Sequence, residues 1–302
     1  MSLKSLKRVV ALLIAVFVFI LTGTVLLFIR SQKGGASTEL VPINAVEHPV
    51  PTTVKAKVPE ADPLAVNPTQ ETTEPETQPP AQPEEATTEA PVPETGKIIY
   101  LTFDDGPGQY TERLLNILAK YNVKATFFVT HMYPSYTDLI GREAREGHAV
   151  AIHTYCHDYS KIYASDQAFW DDYAKMQAII LEQTGSETRL MRFPGGSSNT
   201  VSSNYSVGIM SRLAQQVEER GYTYFDWNVA SGDAGQTTES AQVLINCQRS
   251  VESVDVSVLL CHDVKEYTVD AMDEFISWAL SNGYQFRPLT ADSYAAHHPI
   301  AN

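Results

Sequence analysis

Aromatic residues are missing where a second domain would need them. Residues 31–96 hold no Phe, Tyr or Trp, and all 15 Tyr and 3 Trp of the 302-residue chain lie at or after Tyr100. A stretch so poor in large apolar side chains cannot offset the entropy lost on ordering, which excludes a packed core there. The chain therefore reads as one globular domain behind a long N-terminal appendage, although its length alone would accommodate about two domains. Basic residues are scarce as well: 22 Lys+Arg stand against 36 Asp+Glu, a net charge of −14. Such a chain repels phosphate backbones, so nucleic acid is excluded as a partner. Three cysteines are too few for a disulfide scaffold, and the odd number leaves at least one thiol outside any intrachain pair.

One long apolar run is present, Val9 to Ile29, interrupted only by Thr22, Gly23 and Thr24. Its 21 residues, rising about 1.5 Å each, match the roughly 30 Å hydrocarbon layer as a helix. A cleaved secretory signal has a shorter apolar core and a small-residue cleavage site, whereas Arg30 follows this run. The expectation is a retained single-pass anchor over 9–29 with a cytoplasmic tail over 1–8. Lys4, Lys7 and Arg8 precede the run and the chain turns acidic after Lys33, which favours an external C-terminal domain at the cell membrane. The opposite topology would leave that domain in the cytoplasm. Residues 30–96 read as a disordered linker; 12 of the 17 prolines fall within 31–96, with many Thr and Glu. Those 66 residues reach on the order of 45 Å as coil and roughly 200 Å as polyproline II.

From Lys97 onward the pattern changes to an α/β alternation, and residues 97–302 form the expected domain. Strand-length apolar runs cover Ile98–Phe103, Ala125–Thr130, Ala149–His153, Leu190–Phe193, Thr223–Val229, Val256–Leu260 and Gln285–Leu289. Helix-period stripes lie between them: Thr111, Leu114, Leu115 and Leu118, with Thr111 as N-cap; Ser165 to Gln183; and Met272 to Ala279, ending at Gly283. The alternation predicts parallel pairing, in an open sheet or a barrel of about seven strands. In both architectures reactive side chains collect where strands end. Asp104, Asp105, His153, Arg192, Asp226 and His262 fall at or near such ends.

Their chemistry is specific. Asp104 and Asp105 are adjacent carboxylates that repel unless a cation intervenes. His153 and His157, four apart, share a face if the backbone turns helically and so can ligate one ion; one carboxylate completes a set with open positions, as a catalytic metal site requires. That set also serves non-haem iron oxygenases. Cys156 and Cys261 stand beside these residues but read, like Cys247, as small hydrophobes. Arg192 near two carboxylates would hold one of them ionised, and His262 opposite the metal would act as an acid.

The segments TFDDG (102–106), HTYCH (153–157), RFPGG (192–196) and LLCHD (259–263) together resemble the successive motifs of the polysaccharide deacetylases, the NodB-homology domains of carbohydrate esterase family 4. The resemblance spans about residues 97–289. It implies a distorted (β/α) barrel with seven strands and an enzyme that hydrolyses N-acetyl groups of a cell-surface polysaccharide, most naturally N-acetylglucosamine of peptidoglycan. It implies that Asp105, His153 and His157 bind a divalent metal, usually zinc, with cobalt or manganese as alternatives. Asp104 would be the base, Arg192 its positioning partner, and His262 the acid, with a backbone N–H assisting at the oxyanion. Leu260 would lie under the acetyl methyl, and Pro194 and Gly195 would line the sugar groove. No protein partner is implied. Chitin oligomers, poly-N-acetylglucosamine, acetylated xylan and lactam formation on muramic acid use the same chemistry.

Two positions depart from the family pattern. Gly195 stands where an aromatic residue is usual. The remaining motif, roughly Asp-x-x-Asp-Trp, registers on Ala230 to Ala234, so its first Asp and its Trp are missing. That first Asp raises the pKa of the catalytic histidine; Asp226, Asp233 or Asp263 are the available substitutes. The altered motif motivates a second reading, a catalytically silent wall-binding module.

Overall fold

The structure is a computed structural model, and it describes residues 96–302. The expected tail, the anchor over 9–29 and the linker up to 95 lie outside the described residues. Among the described residues no helix is long and apolar enough to cross a membrane.

The chain runs β1 (Ile98–Asp104), α1 (Thr111–Lys120), β2 (Thr126–Val129), α2 (Leu139–Arg145), β3 (Ala149–Ile152), α3 (Tyr159–Ile162), α4 (Asp166–Thr184), β4 (Leu190–Met191), α5 (Ile209–Glu219), β5 (Thr223–Tyr224), β6 (Val229–Ala230), α6 (Ser240–Glu252), β7 (Val256–His262), α7 (Glu266–Ser281) and β8 (Gln285–Phe286). The strands pair in parallel in the order β5-β4-β3-β2-β1-β7-β6, with β8 also on β1. The two ends of this order, β5 and β6, are joined by only four residues, 225–228. The sheet must therefore curl until its edges nearly meet. Seven strands lie along this curled path, as expected, with β8 beside it among the described residues; only the expected strand Thr223–Val229 is corrected, since it is divided, its first part pairing with β4 and its last with β7. Asn228 stitches the seam, its side chain bonding Val256 O at 2.8 Å and Val258 N at 2.7 Å.

Helix ends follow local chemistry. Ser165 caps α4 by accepting from Ala168 N–H at 3.1 Å, and Gly185, with φ of 76°, ends it. Thr111 is not the expected cap: Tyr110 holds that place, and the Thr111 hydroxyl instead donates to Asp263. The last helix starts at Glu266, well before the Met272 expected from periodicity.

Strand alternation divides the side chains into two cores. Ile99, Leu101 and Phe103 of β1 face the helices, as do Phe127, Val129, Ile152, Met191, Tyr224, Leu259 and Cys261. Ile98, Tyr100, Phe128, Ala151, Phe225 and Val258 fill the barrel, with Leu190 against them. Because the period is two, Asp104, Thr130, His153, Arg192, Leu260 and His262 carry the parity of the interior set. Register then aligns them. Asp104 lies opposite His262, and Val129 and Ile152 pair, as do Ile152 and Met191. One layer at the C-terminal ends of the strands thus gathers residues from motifs far apart in the chain.

Candidate active site

Asp104 ends β1 and is buried; its Oδ1 accepts from Arg192 Nη1 at 2.7 Å. Arg192 is 0% exposed. Its remaining donors reach Thr102 Oγ1 at 2.8 Å, Phe225 O at 3.0 Å and Asp226 O at 2.9 Å, and its guanidinium lies 4.1 Å from the Phe128 ring centroid. So many fixed partners compensate a buried cation and leave it one orientation. Burial raises the Asp104 carboxyl above its ordinary value, while Arg192 and then His262 pull it down.

Alternation alone would send Asp105 away from its neighbour. Its backbone is left-handed, with φ of 74°, and this turns the second carboxylate back to the same cleft. Such a conformation is rare outside glycine and is tolerated best by Asp and Asn. The Thr130 hydroxyl holds the turn by donating to Asp105 O at 2.8 Å. Asp105 Oδ1 lies 3.6 Å from His153 Nε2 and 3.5 Å from His157 Nε2. The histidines do not meet on a helical turn as the spacing suggested. His153 follows β3 directly, residues 154–158 form a bend, and His157 has φ of 47°. Their rings come within 5.2 Å.

This bend is fastened by Asp172 of α4, a residue the motif reading did not single out. It accepts from Thr154 Oγ1 at 2.5 Å, Tyr155 N at 2.7 Å and Cys156 N at 3.2 Å. A sequence signal existed only weakly: Asp172 precedes Tyr173 on the buried face of α4.

Asp105, His153 and His157 bring their ligand atoms within 4.8 Å of one another. The fit to a divalent metal is good. Asp105 Oδ1 is buried without a hydrogen-bond partner. His153 Nδ1 donates to Arg192 O at 2.9 Å, which leaves the Nε2 lone pair facing Asp105. Burial, with His157 alongside, lowers the His153 pKa to about 3, so the ring is neutral as a ligand must be. Cys156 stands outside this group, Cys247 and Cys261 are buried, and all three are free thiols.

Across the cleft, His262 Nδ1 meets Asp233 Oδ1 at 2.8 Å. Asp233 Oδ2 accepts from His262 N at 2.7 Å and Thr268 Oγ1 at 2.8 Å. Burial opposes charge on His262, but the bond and charge of Asp233, with Asp104 and Asp105 further away, raise its pKa to about 9. Burial likewise works against the Asp233 carboxylate, yet His262 and Thr268 hold it below its ordinary value.

Of the three candidate partners for His262, Asp233 is therefore the one in place. Asp226 has outward parity; it bonds Ser197 N at 2.7 Å and His298 N at 2.8 Å and does not reach the cleft. Asp263 follows His262 and turns the opposite way, bonding Thr111, with burial raising its pKa to about 7. The missing first Asp of the motif at Ala230 to Ala234 does not leave the histidine unpaired.

The cleft between the triad and His262 has a volume of about 520 Å³ and is lined also by Leu260, Gly195, Tyr159, Trp227, Ala234, Gly235, Lys265 and Tyr267. Pro194 is not among its walls: it is buried, and its carbonyl accepts from Tyr163 at 2.8 Å. Gly195, with φ of 78°, leaves space that the Tyr159 hydroxyl occupies, since a Cβ there would collide with it. An aromatic wall is thus present, contributed by another element.

The family model for polysaccharide deacetylase matches residues 92–212. A peptidoglycan-N-acetylglucosamine deacetylase of Bacillus cereus is 31% identical over 214 residues, covering 68% of this chain and 72% of the relative. The chain belongs to the polysaccharide deacetylase family. Among solved structures, the catalytic domain of a peptidoglycan N-acetylglucosamine deacetylase from Eubacterium rectale is 52% identical, covers 72% of this chain and 99% of its own, and superposes with a TM-score of 0.69. A polysaccharide deacetylase from Bacillus cereus is 30% identical over 66% of this chain and 95% of its own, with a TM-score of 0.58. This deacetylase is accordingly a hydrolase of carbon–nitrogen bonds other than peptide bonds, and the oxygenase reading of the ligand set falls.

Proposed function

We propose that this deacetylase removes acetyl groups from N-acetylglucosamine residues of cell-wall peptidoglycan, with its catalytic domain outside a membrane anchored through residues 9–29. The observation that carries the reading is the facing of two supported pairs, Asp104–Arg192 and His262–Asp233, across the Asp105–His153–His157 triad. The peptidoglycan deacetylases from Eubacterium rectale and Bacillus cereus support the choice of substrate.

Asp105, His153 and His157 would hold a divalent cation, zinc by preference with cobalt or manganese as substitutes, and the chemistry it would supply is a more acidic water and a polarised acetyl carbonyl. Asp104 Oδ1 is committed to Arg192, so Oδ2 is the atom that accepts the water's proton. Arg192 fixes that carboxylate in the orientation the transfer requires. Leu260, two residues before His262 on the interior face, offers an apolar seat for the acetyl methyl. His262 is protonated at neutral pH because Asp233 stabilises the imidazolium, and with Nδ1 tied its Nε2 donates to the departing amine. Acetate and a free amino sugar leave.

The test is acetate release from N-acetylglucosamine oligomers and from peptidoglycan, before and after chelation. Release that chelation abolishes and zinc, cobalt or manganese restores is the expected outcome. No release under any of these metals would favour a wall-binding role instead.

A further inference from the structure

Among the described residues Lys265 is the one Lys or Arg side chain lining the cleft, beside His262 and Tyr267. It is half-buried and forms no ion pair among the described residues. Its place in the fold is unfavourable. Lys265 is the N-cap of α7, a helix of 16 residues, and makes no side-chain capping bond there. Ser, Thr, Asp or Asn satisfies that position best, and a cation is repelled by the positive end of the helix. A residue that breaks a local rule at the edge of an active site is explained by what it does there.

The wall next to it is open. Ala234 occupies the position where the motif register leads to Trp, Gly235 follows it, and both line the cleft. Tyr267 donates to Asp233 O at 3.2 Å, so residues 233–235 and 265–267 form one wall around the His262 pair. Small residues beside an unpaired ammonium make room for a substituent that is both branched and anionic.

We propose that Lys265 is a specificity-determining residue that binds a carboxylate carried by the sugar next to the N-acetyl group under attack. The preferred substrate is then a glycan of alternating neutral and carboxylate-bearing N-acetyl sugars, such as lactyl ethers, over a neutral homopolymer. This deepens the peptidoglycan reading and rests on it for the reaction, while the binding itself is separable.

Two oligosaccharides of equal length test it, one of N-acetylglucosamine alone and one in which alternate sugars bear a lactyl carboxylate. The native enzyme should prefer the anionic oligomer in kcat/KM by about tenfold, the size of one charge-assisted hydrogen bond. Lys265→Gln should erase most of that ratio through KM, Lys265→Arg should keep it, and raised salt should compress it in the native enzyme only. Calorimetric affinities of the metal-loaded Asp104→Asn protein, with and without Lys265→Gln, read the same ratio without turnover. A ratio that Lys265→Gln leaves unchanged in kinetics or calorimetry overturns the inference. Acetate from neither oligomer, with the calorimetric preference intact, supports the inference and defeats the deacetylase reading instead.

Discussion

Two histidines face each other across the cleft, and their surroundings drive them in opposite directions. His153 is surrounded by burial and a second imidazole, with its Nδ1 given to a backbone carbonyl, and its pKa falls to about 3. His262 is partly buried, but its Nδ1 meets a carboxylate, and its pKa rises to about 9. The contrast assigns roles: the first is fitted to offer a lone pair, the second to offer a proton. It also shows that the partner of the nitrogen facing away from the cleft decides what the nitrogen facing it can do.

The largest effect is expected where the two halves meet. Asp104→Asn should reduce turnover about a thousandfold, within the range of a lost general base, while calorimetry shows metal affinity within about threefold of native. Turnover near the native rate would remove Asp104 from its role.

The contrast itself is broken by Asp233→Asn. The alkaline limb of kcat/KM should move from about 9 down toward the 6.5 of an ordinary histidine, so that activity at pH 7.5 drops at least about tenfold. Stability follows the same sign. Because His262 is raised in the folded state, its contribution is complete below about pH 6.5 and is lost as pH rises through about 9. That contribution is on the order of 3 kcal/mol, and denaturant titrations of the variant should lack this alkaline decline.

A smaller effect sharpens the metal side. Asp172→Asn keeps the size of the side chain but weakens three bonds that shape the 153–157 bend. Metal affinity, read by competition with a chelating dye, should fall about tenfold, as for other supports behind ligands. An unchanged affinity would reduce Asp172 to a fold-stabilising role.

The strand runs and the rim residues were legible because apolar alternation and strand ends are written in residue type. Four strands shrink to two residues each, since the apolar run outlasts the hydrogen-bond ladder where the sheet curls. Parity separates true rim residues from false ones. Asp226 follows inward Phe225, and Asp263 follows inward His262, so both point away. The same rule would have rejected Asp105, which reaches the cleft only through its left-handed backbone, hinted at by the turn sequence Asp105-Gly106-Pro107. Asp172 and Tyr159 arrive from helices, where spacing along the chain carries no trace of the loops they touch. The Asp233 pairing depended on how the 231–235 loop crosses over β7, which a shifted motif register could not reveal.

The most direct test is nitrogen NMR of the histidine side chains in the zinc-loaded protein between pH 6 and 10. The expected result is a neutral His153 with its proton on Nδ1 throughout, and a doubly protonated His262 that titrates near 9. A His262 that loses its proton near 6.5, or a His153 protonated on Nε2, would contradict it.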